Sequence, residues 1–189
     1  MSIQPYRFKL ATSPQEIAAY FALRQSIFVE EQGLFPSSDL DELDALAYPI
    51  IALEGEINSW GGKEGKFFHQ NALPNSPNLE VLGIVRIYQP EPGLWYGGRL
   101  GVHRDYRRAG RIGKGLIYKA VTTANTWGCR QFLATVQLQN VRFFQRLHWN
   151  SLEELTVCGL PHHLMEADLS YYPPGDEPRL LPVPVQEAC

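Results

Sequence analysis

The residues best suited to chemistry form a basic, glycine-containing turn in the second half of the chain. Thirteen residues carry five arginines, namely Arg99, Arg104, Arg107, Arg108 and Arg111. Gly110 and Gly113 interrupt this run, and an apolar helical stripe begins at Ile112. The free N–H groups and dipole of a helix start, with guanidinium groups nearby, favour phosphate or pyrophosphate. The turn therefore predicts an anion site, although its charge alone fits a solvated loop equally well.

Two well-known phosphate loops do not fit this turn. A Walker loop ends in Lys followed by Ser or Thr, whereas Lys114 is followed by Gly115. The dinucleotide pattern G-x-G-x-x-G is absent, since the glycines of residues 110–115 have another spacing. The turn alone therefore does not identify the bound anion.

Composition limits the classes of protein to which this chain could belong. Its 189 residues fit one domain, and a net charge of −3 argues against a general nucleic-acid binder. Three cysteines are too few for a disulfide framework, and no zinc-ligand spacing is present. No segment has the apolar length of a secretion signal or a membrane span. We expect a cytoplasmic protein with no metal, nucleic acid or membrane partner.

The elements that must position the turn alternate between strands and helices. Ser13, Pro14 and Glu16 form a helix start with a capping box, and helical spacing continues to about Val29. A second helix carries the stripe from Ile112 to about Gly128. A third is predicted over 140–147, and residues 54–79 form a long insertion. Strands are predicted over residues 6–12, 48–53, 80–88, 94–102, 131–136, 152–158 and 164–170.

This order predicts the α/β class, with a mixed sheet and helices on both of its faces. Residues 1–172 form a single domain in this interpretation, and residues 173–189 form a proline-rich tail. The tail could lie on the surface or cross to a neighbouring copy in a homodimer.

The segment RLGVHRDYRRAGRIGKGLIYKAV resembles the cofactor motif of the Gcn5-related N-acetyltransferase (GNAT) superfamily, Arg/Gln-x-x-Gly-x-Gly/Ala. One alignment uses Arg108 and Gly113, and puts Arg111 at the middle glycine. The other uses Arg107 and Gly110, and puts Ile112 at the last position. The resemblance implies a mostly antiparallel sheet of about six to seven strands.

Three further segments resemble the small bacterial ElaA/YjcF-like acetyltransferases. LRQSIFVEEQG is followed by two aspartates, VQLQNVRFFQRLHW matches a helix motif, and GLPHHLM matches a later one. With these, the resemblance extends from residue 20 to about residue 170. It implies transfer of an acetyl group from acetyl-CoA, or another short acyl-CoA, to the amine of a small molecule or peptide by direct attack. The residues implied to bind the cofactor are Leu100, Gly101, Val102, Arg107, Arg108, Ala109, Gly110, Arg111, Ile112, Gly113, Asn140 and Phe144.

Transfer to an amine also requires a base, because a lysine-like amine is ~99.9% protonated near pH 7. Glu30 and His162 are our candidates: one glutamate after the apolar helix face could point inward, and histidine titrates in a useful range. His162 is preferred to His163, although a structural histidine is a strong alternative. Phe144 replaces the tyrosine acid of many family members, and His148 replaces a glycine.

Carboxylates near the first helix are candidates for binding a cationic acceptor. Glu31, Asp41 and Asp44 form this predicted set. Asp41 and Asp44, three residues apart, could instead cap a helix. Arg24 and Arg86 lie in apolar patterns, so we expect them to form internal ion pairs.

Two other functions fit parts of the sequence. A catalytically silent acyl-CoA-binding or regulatory module would explain Phe144 and the imperfect turn. An acyl-homoserine lactone synthase, another acyl transfer enzyme with a GNAT-like core, shares the pattern of Arg24, Phe28, Asp41 and Asp44.

Overall fold

The computed structural model describes residues 6–55, 79–157 and 159–182. The first helix, α1, spans Pro14–Arg24 and begins with the predicted capping box. Ser13 Oγ accepts a hydrogen bond from the Glu16 amide, and the Glu16 carboxylate accepts one from the Ser13 amide. The chain continues as a π-helical turn over Gln25–Glu31, so the helical segment ends two residues beyond the predicted Val29.

Seven strands form one sheet, which confirms the predicted fold class. They are β1 (Tyr6–Leu10), β2 (Ala47–Glu54), β3 (Val81–Glu91), β4 (Leu94–Val102), β5 (Gln131–Gln137), β6 (Trp149–Val157) and β7 (Leu160–Ala167). Their order across the sheet is β1-β2-β3-β4-β5-β7-β6. Only the β4–β5 pair is parallel, and every other neighbouring pair is antiparallel.

Helices cover both faces of this sheet. Helix α2 spans Arg111–Thr126, and the short helix α3 spans Val141–Gln145. In β2, Ile50 belongs to the hydrophobic cluster that contains α2, whereas Ile51 belongs to the cluster that contains α1. Because side chains alternate along a strand, the two clusters lie on opposite faces. Single 3-10 turns over Glu42–Leu46, Arg104–Ala109 and Leu138–Asn140 connect the elements.

Glycines allow two helical segments to approach the sheet closely. A Cβ on Gly83 of β3 would lie 2.7 Å from Ile112 Cγ2, so only glycine admits the first turn of α2 here. On the other face, a Cβ on Gly101 of β4 would lie 2.8 Å from Ile27 Cδ1 in the π-helical turn. Both segments are thereby held against the centre of the sheet.

The C-terminal strands depart from the predicted boundaries. β6 begins three residues before the predicted 152, and β7 covers residues 160–167 instead of 164–170. Pro161 and the two following histidines interrupt the apolar pattern, although Pro161 lies opposite Thr156 in the hairpin. The predicted insertion at 54–79 lies mostly outside the described residues.

Residues 173–182 run along α2 without regular structure. The Trp127 indole N–H donates to the Glu177 carbonyl over 2.9 Å, and the Gly175 amide donates to Thr126 Oγ1 over 2.8 Å. Lys119 forms an ion pair with Glu177. None of the helices in the described ranges has the length and apolar character needed to cross a membrane.

Candidate active site

The site lies where the parallel strands β4 and β5 separate. Pairing runs from Leu94 opposite Gln131 only as far as Gly97 opposite Ala134. Beyond this point, β4 contains a bulge: Gly98 pairs with Arg86 and Gly101 with Ile84, so two residues face one. Arg99 has a φ of 52°, which few non-glycine residues adopt. A cavity of about 530 Å³ opens at this split, and residues from both faces of the sheet line it.

The part of the cavity on the α2 face, which we call the α2 side, has the features of an anion site. Gly110 takes the left-handed conformation with a φ of 61° and precedes the first residue of α2. The Lys114 amide makes the first intrahelical bond, to the Gly110 carbonyl. The three amides of residues 111–113 therefore have no partner within the helix. Among the described side chains, none caps this helix end.

Glycines keep the α2 side open beside an aromatic wall. A Cβ on Gly110 would lie 3.6 Å from the Phe143 ring, and one on Gly113 would lie 3.7 Å from it. Phe144 is buried and packs edge-to-face against Trp149, with ring centroids 5.1 Å apart. The phenyl ring at position 144 thus forms part of the wall, as expected from its lack of a hydroxyl group.

Most of the residues predicted to bind the cofactor line this cavity. They are Leu100, Gly101, Val102, Arg107, Gly110, Ile112, Gly113, Asn140 and Phe144. The side chains of Arg108 and Ala109 are not described. Arg111 is exposed and does not line the cavity, because the first turn of α2 directs Ile112 toward the sheet instead. The backbone amide of Arg111 remains a candidate contact, whereas its exposed guanidinium group can attract a bound anion only across solvent.

Arg107 has a carboxylate partner that the sequence did not indicate. Its Nη2 donates to Glu31 Oε2 over 2.8 Å, and Nη1 donates to the second oxygen of the same carboxylate. Its Nε donates to the Val102 carbonyl over 2.7 Å. The hydrogen bond from Arg107 lowers the pKa of Glu31. Glu31 therefore ties the π-helical turn to the end of β4 and lies outside the cavity lining.

The part on the opposite face, the α1 side, is mainly apolar. Its lining includes Phe28, Leu34, Phe35, Val157 and Leu160. These residues come from the π-helical turn, the loop that follows it and the β6–β7 hairpin. The sequence shows two aromatic residues, Phe28 and Phe35, in and just after the π-helical turn. Only the folded chain places them beside the β6–β7 hairpin.

His162 lies on the same side and is oriented by a backbone group. It stands opposite Gln137 in the β5–β7 pairing, and both residues line the cavity. The imidazole Nδ1 lies 2.8 Å from the Leu160 carbonyl oxygen. Because a carbonyl only accepts, the neutral ring carries its proton on Nδ1, and its Nε2 holds a lone pair.

His163 lies on the other face of β7. Its Nδ1 is 2.5 Å from Ser151 Oγ, and it does not line the cavity.

A network of charges, of which all members except Asp41 and Arg99 are buried, supports the α1 side. Its members are Arg24, Arg86, Arg99, Asp39, Asp41 and Asp44. Arg24 Nε donates to Asp39 Oδ2 over 2.8 Å, and its Nη1 donates to Asp44 over 2.5 Å. Arg86 Nη1 bonds Asp41 over 2.6 Å and Asp44 over 2.7 Å. The ion pairs expected of Arg24 and Arg86 are confirmed, and the three arginines balance three aspartates.

The network gives Asp41 and Asp44 the capping role rather than a place in the cavity. Asp41 caps the 3-10 turn, and Asp44 completes a capping box with it. Burial raises the pKa of Asp44, but hydrogen bonds from Arg24 and the Asp41 amide outweigh it and lower the pKa overall. Neither residue lines the cavity. A cationic acceptor would find both carboxylates already paired with arginines.

Two other predicted or considered residues also lie away from the cavity. Glu30 is exposed, because the π-helical turn directs Ile27 and Phe28 inward instead. His148 adopts a φ of 62°, a conformation that favours glycine, and stacks on Tyr171 with centroids 3.8 Å apart. Neither residue lines the cavity, so neither is placed to act as a base.

Comparison with known proteins agrees with this geometry. The sequence profile described as "Acetyltransferase (GNAT) family" matches residues 25–149. A Bacillus subtilis (strain 168) protein named as an acetyltransferase, BSU40680, is 26% identical over 161 residues, which cover 83% of this chain and 92% of the relative.

Solved structures share the fold. Escherichia coli ElaA superposes with a TM-score of 0.64 at 20% identity, over 88% of this chain and all of ElaA. The CoA-dependent acyl-homoserine lactone synthase BjaI, solved with SAM and isopentyl-CoA, gives a TM-score of 0.60 at 20% identity, over 87% of each chain. Together with the profile match, the split sheet and the glycine turn show that this chain belongs to the acetyltransferase (GNAT) family.

Proposed function

We propose that the protein transfers an acetyl or other short acyl group from CoA to a primary amine by direct attack. The observation that carries this proposal is one cavity with two kinds of lining. An uncapped helix start borders its α2 side, and a histidine with an available lone pair borders its α1 side. The first suits a diphosphate, and the second suits an amine that must lose a proton.

The residues of the α2 side fit acyl-CoA. The free amides at residues 111–113 would hold its diphosphate, and the splayed edge of β4 from Leu100 to Val102 would pair with its pantetheine arm. Side chains larger than hydrogen at Gly110 and Gly113 would extend toward Phe143 and narrow this passage. When bound, acyl-CoA supplies an activated carbonyl carbon attached to a thiolate leaving group.

The chain's own part in the chemistry centres on His162. A protonated amine has no lone pair for attack, so His162 Nε2 accepts its proton while Nδ1–H stays bonded to the Leu160 carbonyl. The amine nitrogen then bonds to the acyl carbon as the carbon–sulfur bond breaks, and the second proton that this nitrogen loses on becoming an amide passes to water or to the released thiolate. Phe144 cannot donate a proton, and a thiol with a pKa of about 8.5 can leave as thiolate near neutral pH.

Binding and turnover measured on the same protein test this function. Acetyl-CoA binding is followed by calorimetry, and free thiol is followed during incubation with a panel of amines. His162→Gln should lower kcat/KM by about 10²- to 10⁴-fold, the usual contribution of a general base. Its affinity for acetyl-CoA should stay unchanged.

His163→Gln is the matched control, one residue away on the other face of β7. It should change kcat/KM by less than about threefold, as expected for a substitution away from the site. Equal losses in both variants would remove His162 from the chemistry. Binding of acetyl-CoA by the wild-type protein without thiol release from any amine would identify a silent acyl-CoA-binding module.

An acyl-homoserine lactone synthase activity is the second candidate, favoured by the fold shared with BjaI. It predicts thiol release from acyl-CoA with S-adenosylmethionine as the acceptor. The same assay, with this acceptor added to the panel, separates the two activities.

A further inference from the structure

The α1 side of the cavity lacks the groups that bind a cationic amine. Among the residues that the structure describes, no aspartate or glutamate lines the cavity. The nearby Asp39, Asp41 and Asp44 are held by arginines. An ammonium group that leaves water without a carboxylate partner loses much of its solvation energy. Polyamines and lysine side chains are therefore poor matches for this surface.

Arg99 supplies a fixed hydrogen-bond donor at the same surface. Its Nε donates to Asp39 Oδ2 over 2.9 Å, while Nη2 donates to the Asp39 carbonyl over 2.8 Å and to Asp41 over 3.1 Å. The guanidinium carbon lies 4.8 Å from the centre of the Phe35 ring and 6.0 Å from that of Phe28. Arg99 lines the cavity, and none of the described residues accepts a hydrogen bond from its Nη1.

An arginine held in this way is suited to a carboxylate. Its orientation is already fixed, so little side-chain freedom is lost when a ligand binds to the remaining N–H groups. The network of three arginines and three aspartates is neutral overall, which favours a ligand that is itself neutral overall. A zwitterion, with one carboxylate and one amine, meets this condition.

Apolar side chains indicate that the ligand has an apolar group in addition to its carboxylate and its amine. Leu34, Val157 and Leu160 surround the same side of the cavity, together with the two phenyl rings. Val157 is 37% exposed and Leu160 is 45% exposed, so an apolar group bound here would cover them. The ligand should thus carry an aliphatic or aromatic group beside its carboxylate.

The proposed base also suits an amine of this kind. In a free amino acid the neighbouring carboxylate favours the ammonium form, so the amine must lose a proton before it can attack near neutral pH. His162 lines the same side of the cavity as Arg99 and can accept that proton at Nε2.

From these observations we infer that the acyl acceptor is an apolar or aromatic α-amino acid. Its carboxylate binds Arg99, its side chain packs on Phe28, Phe35 and Leu160, and its amine is presented to His162. The amine loses one proton to His162 and bonds to the acyl carbon as the thiolate departs, and its second proton passes to water or to the released thiolate. This inference rests on the proposed function and adds the class of acceptor to it.

A comparison of three acceptors tests the inference without altering the protein. Phenylalanine, phenylalaninamide and cadaverine are compared by their kcat/KM for thiol release from acetyl-CoA. After correction of each kcat/KM for the fraction of unprotonated amine, phenylalanine should exceed phenylalaninamide by about tenfold or more, the contribution of a charge-assisted hydrogen bond. The kcat/KM for phenylalanine should exceed that for cadaverine by a larger factor.

Two variants test which residues of the protein cause the preference for phenylalanine. Arg99→Lys keeps the charge but loses the planar fork, so it should raise KM for phenylalanine by a larger factor than KM for phenylalaninamide. Leu160→Glu adds a carboxylate at an exposed rim position that does not depend on the buried network. It should lower the preference for phenylalanine over cadaverine, whereas Leu152→Glu, at a 50% exposed position outside the cavity, should not.

The outcomes separate this inference from the function on which it rests. Faster reaction with cadaverine, or equal rates with phenylalanine and its amide, overturns the acceptor class and leaves acyl transfer to amines intact. No thiol release with any acceptor, despite binding of acetyl-CoA, overturns the proposed function and the inference with it.

Discussion

The two sides of the cavity are built in different ways. The α2 side takes its backbone amides, strand edge and glycines from a nearly continuous stretch of chain, residues 100–113, beside an aromatic wall from Phe143 and Phe144. The α1 side gathers side chains from residues 27–35, 99, 135–137 and 157–162. Backbone groups are the same in every sequence, so a fixed cofactor can be bound through them. An acceptor must be distinguished by side chains, and those need support.

The support for the α1 side is the buried network of three arginines and three aspartates. Arg24 has no exposed side-chain surface, and Asp39 and Asp44 are each 4% exposed. Asp39 and Asp41 hold Arg99 at the bulge of β4, in a backbone conformation that costs about 1–3 kcal/mol for a non-glycine residue. Strain at the site is thus maintained by ion pairs around it.

The largest expected effect comes from breaking this network. Arg24→Met leaves two carboxylates buried without their main partner, which should lower the free energy of unfolding by about 3–5 kcal/mol. Urea unfolding measures the change. Arg104→Met is the control, since that side chain is 77% exposed, and it should stay within about 0.5 kcal/mol of wild type. A loss below about 1 kcal/mol for Arg24→Met would show that the network does not support the fold.

Acid should weaken the same network by protonating it. Burial raises the pKa of Asp41 and Asp44, but their arginine hydrogen bonds outweigh it and lower both values. The stability that they contribute is therefore present above their unfolded pKa of about 3.9 and is lost as the pH falls toward their folded values. Unfolding free energy measured from pH 6 to pH 3 should fall less steeply in Asp44→Asn than in wild type. Parallel slopes would contradict this.

A smaller effect is expected at the α2 side, where two glycines allow a matched comparison. Gly110 and Gly128 both have positive φ, 61° and 86°, at opposite ends of α2. Alanine at either position should cost about 1–2 kcal/mol of stability. Only Gly110→Ala should also weaken acetyl-CoA binding, because Gly110 borders the cavity beside Phe143. Equal affinities in the two variants, measured by calorimetry, would remove this turn from the cofactor site.

The smallest effect should distinguish the arginines of the turn. Arg107 is paired with Glu31, whereas the exposed Arg111 has no ion-pair partner among the described residues. Arg111→Ala should therefore weaken acetyl-CoA binding by about two- to fivefold at low salt, typical of an exposed charge pair. Arg107→Ala should have less effect, and the difference should fade as salt rises. A larger loss for Arg107→Ala would mean that it exchanges Glu31 for the cofactor.

Local patterns in the sequence determined much of the fold and of the α2 side. The capping box at Ser13, the apolar stripe of α2 and the glycines of the turn each act through neighbours a few residues away. Such interactions form in the same way wherever the segment lies, so the sequence alone predicts them. Nine of the twelve residues that the family resemblance implied for the cofactor line the cavity.

Only the tertiary structure decided the α1 side. Glu31 meets Arg107, 76 residues away, and Arg99 meets Asp39, 60 residues away, although each charge looked available in the sequence. The choice between His162 and His163 depends on strand register, since a shift of one residue turns a side chain to the other face. The ion-pair partner of a charged side chain, and the sheet face on which a side chain lies, depend on residues distant in sequence. No local pattern contains that information.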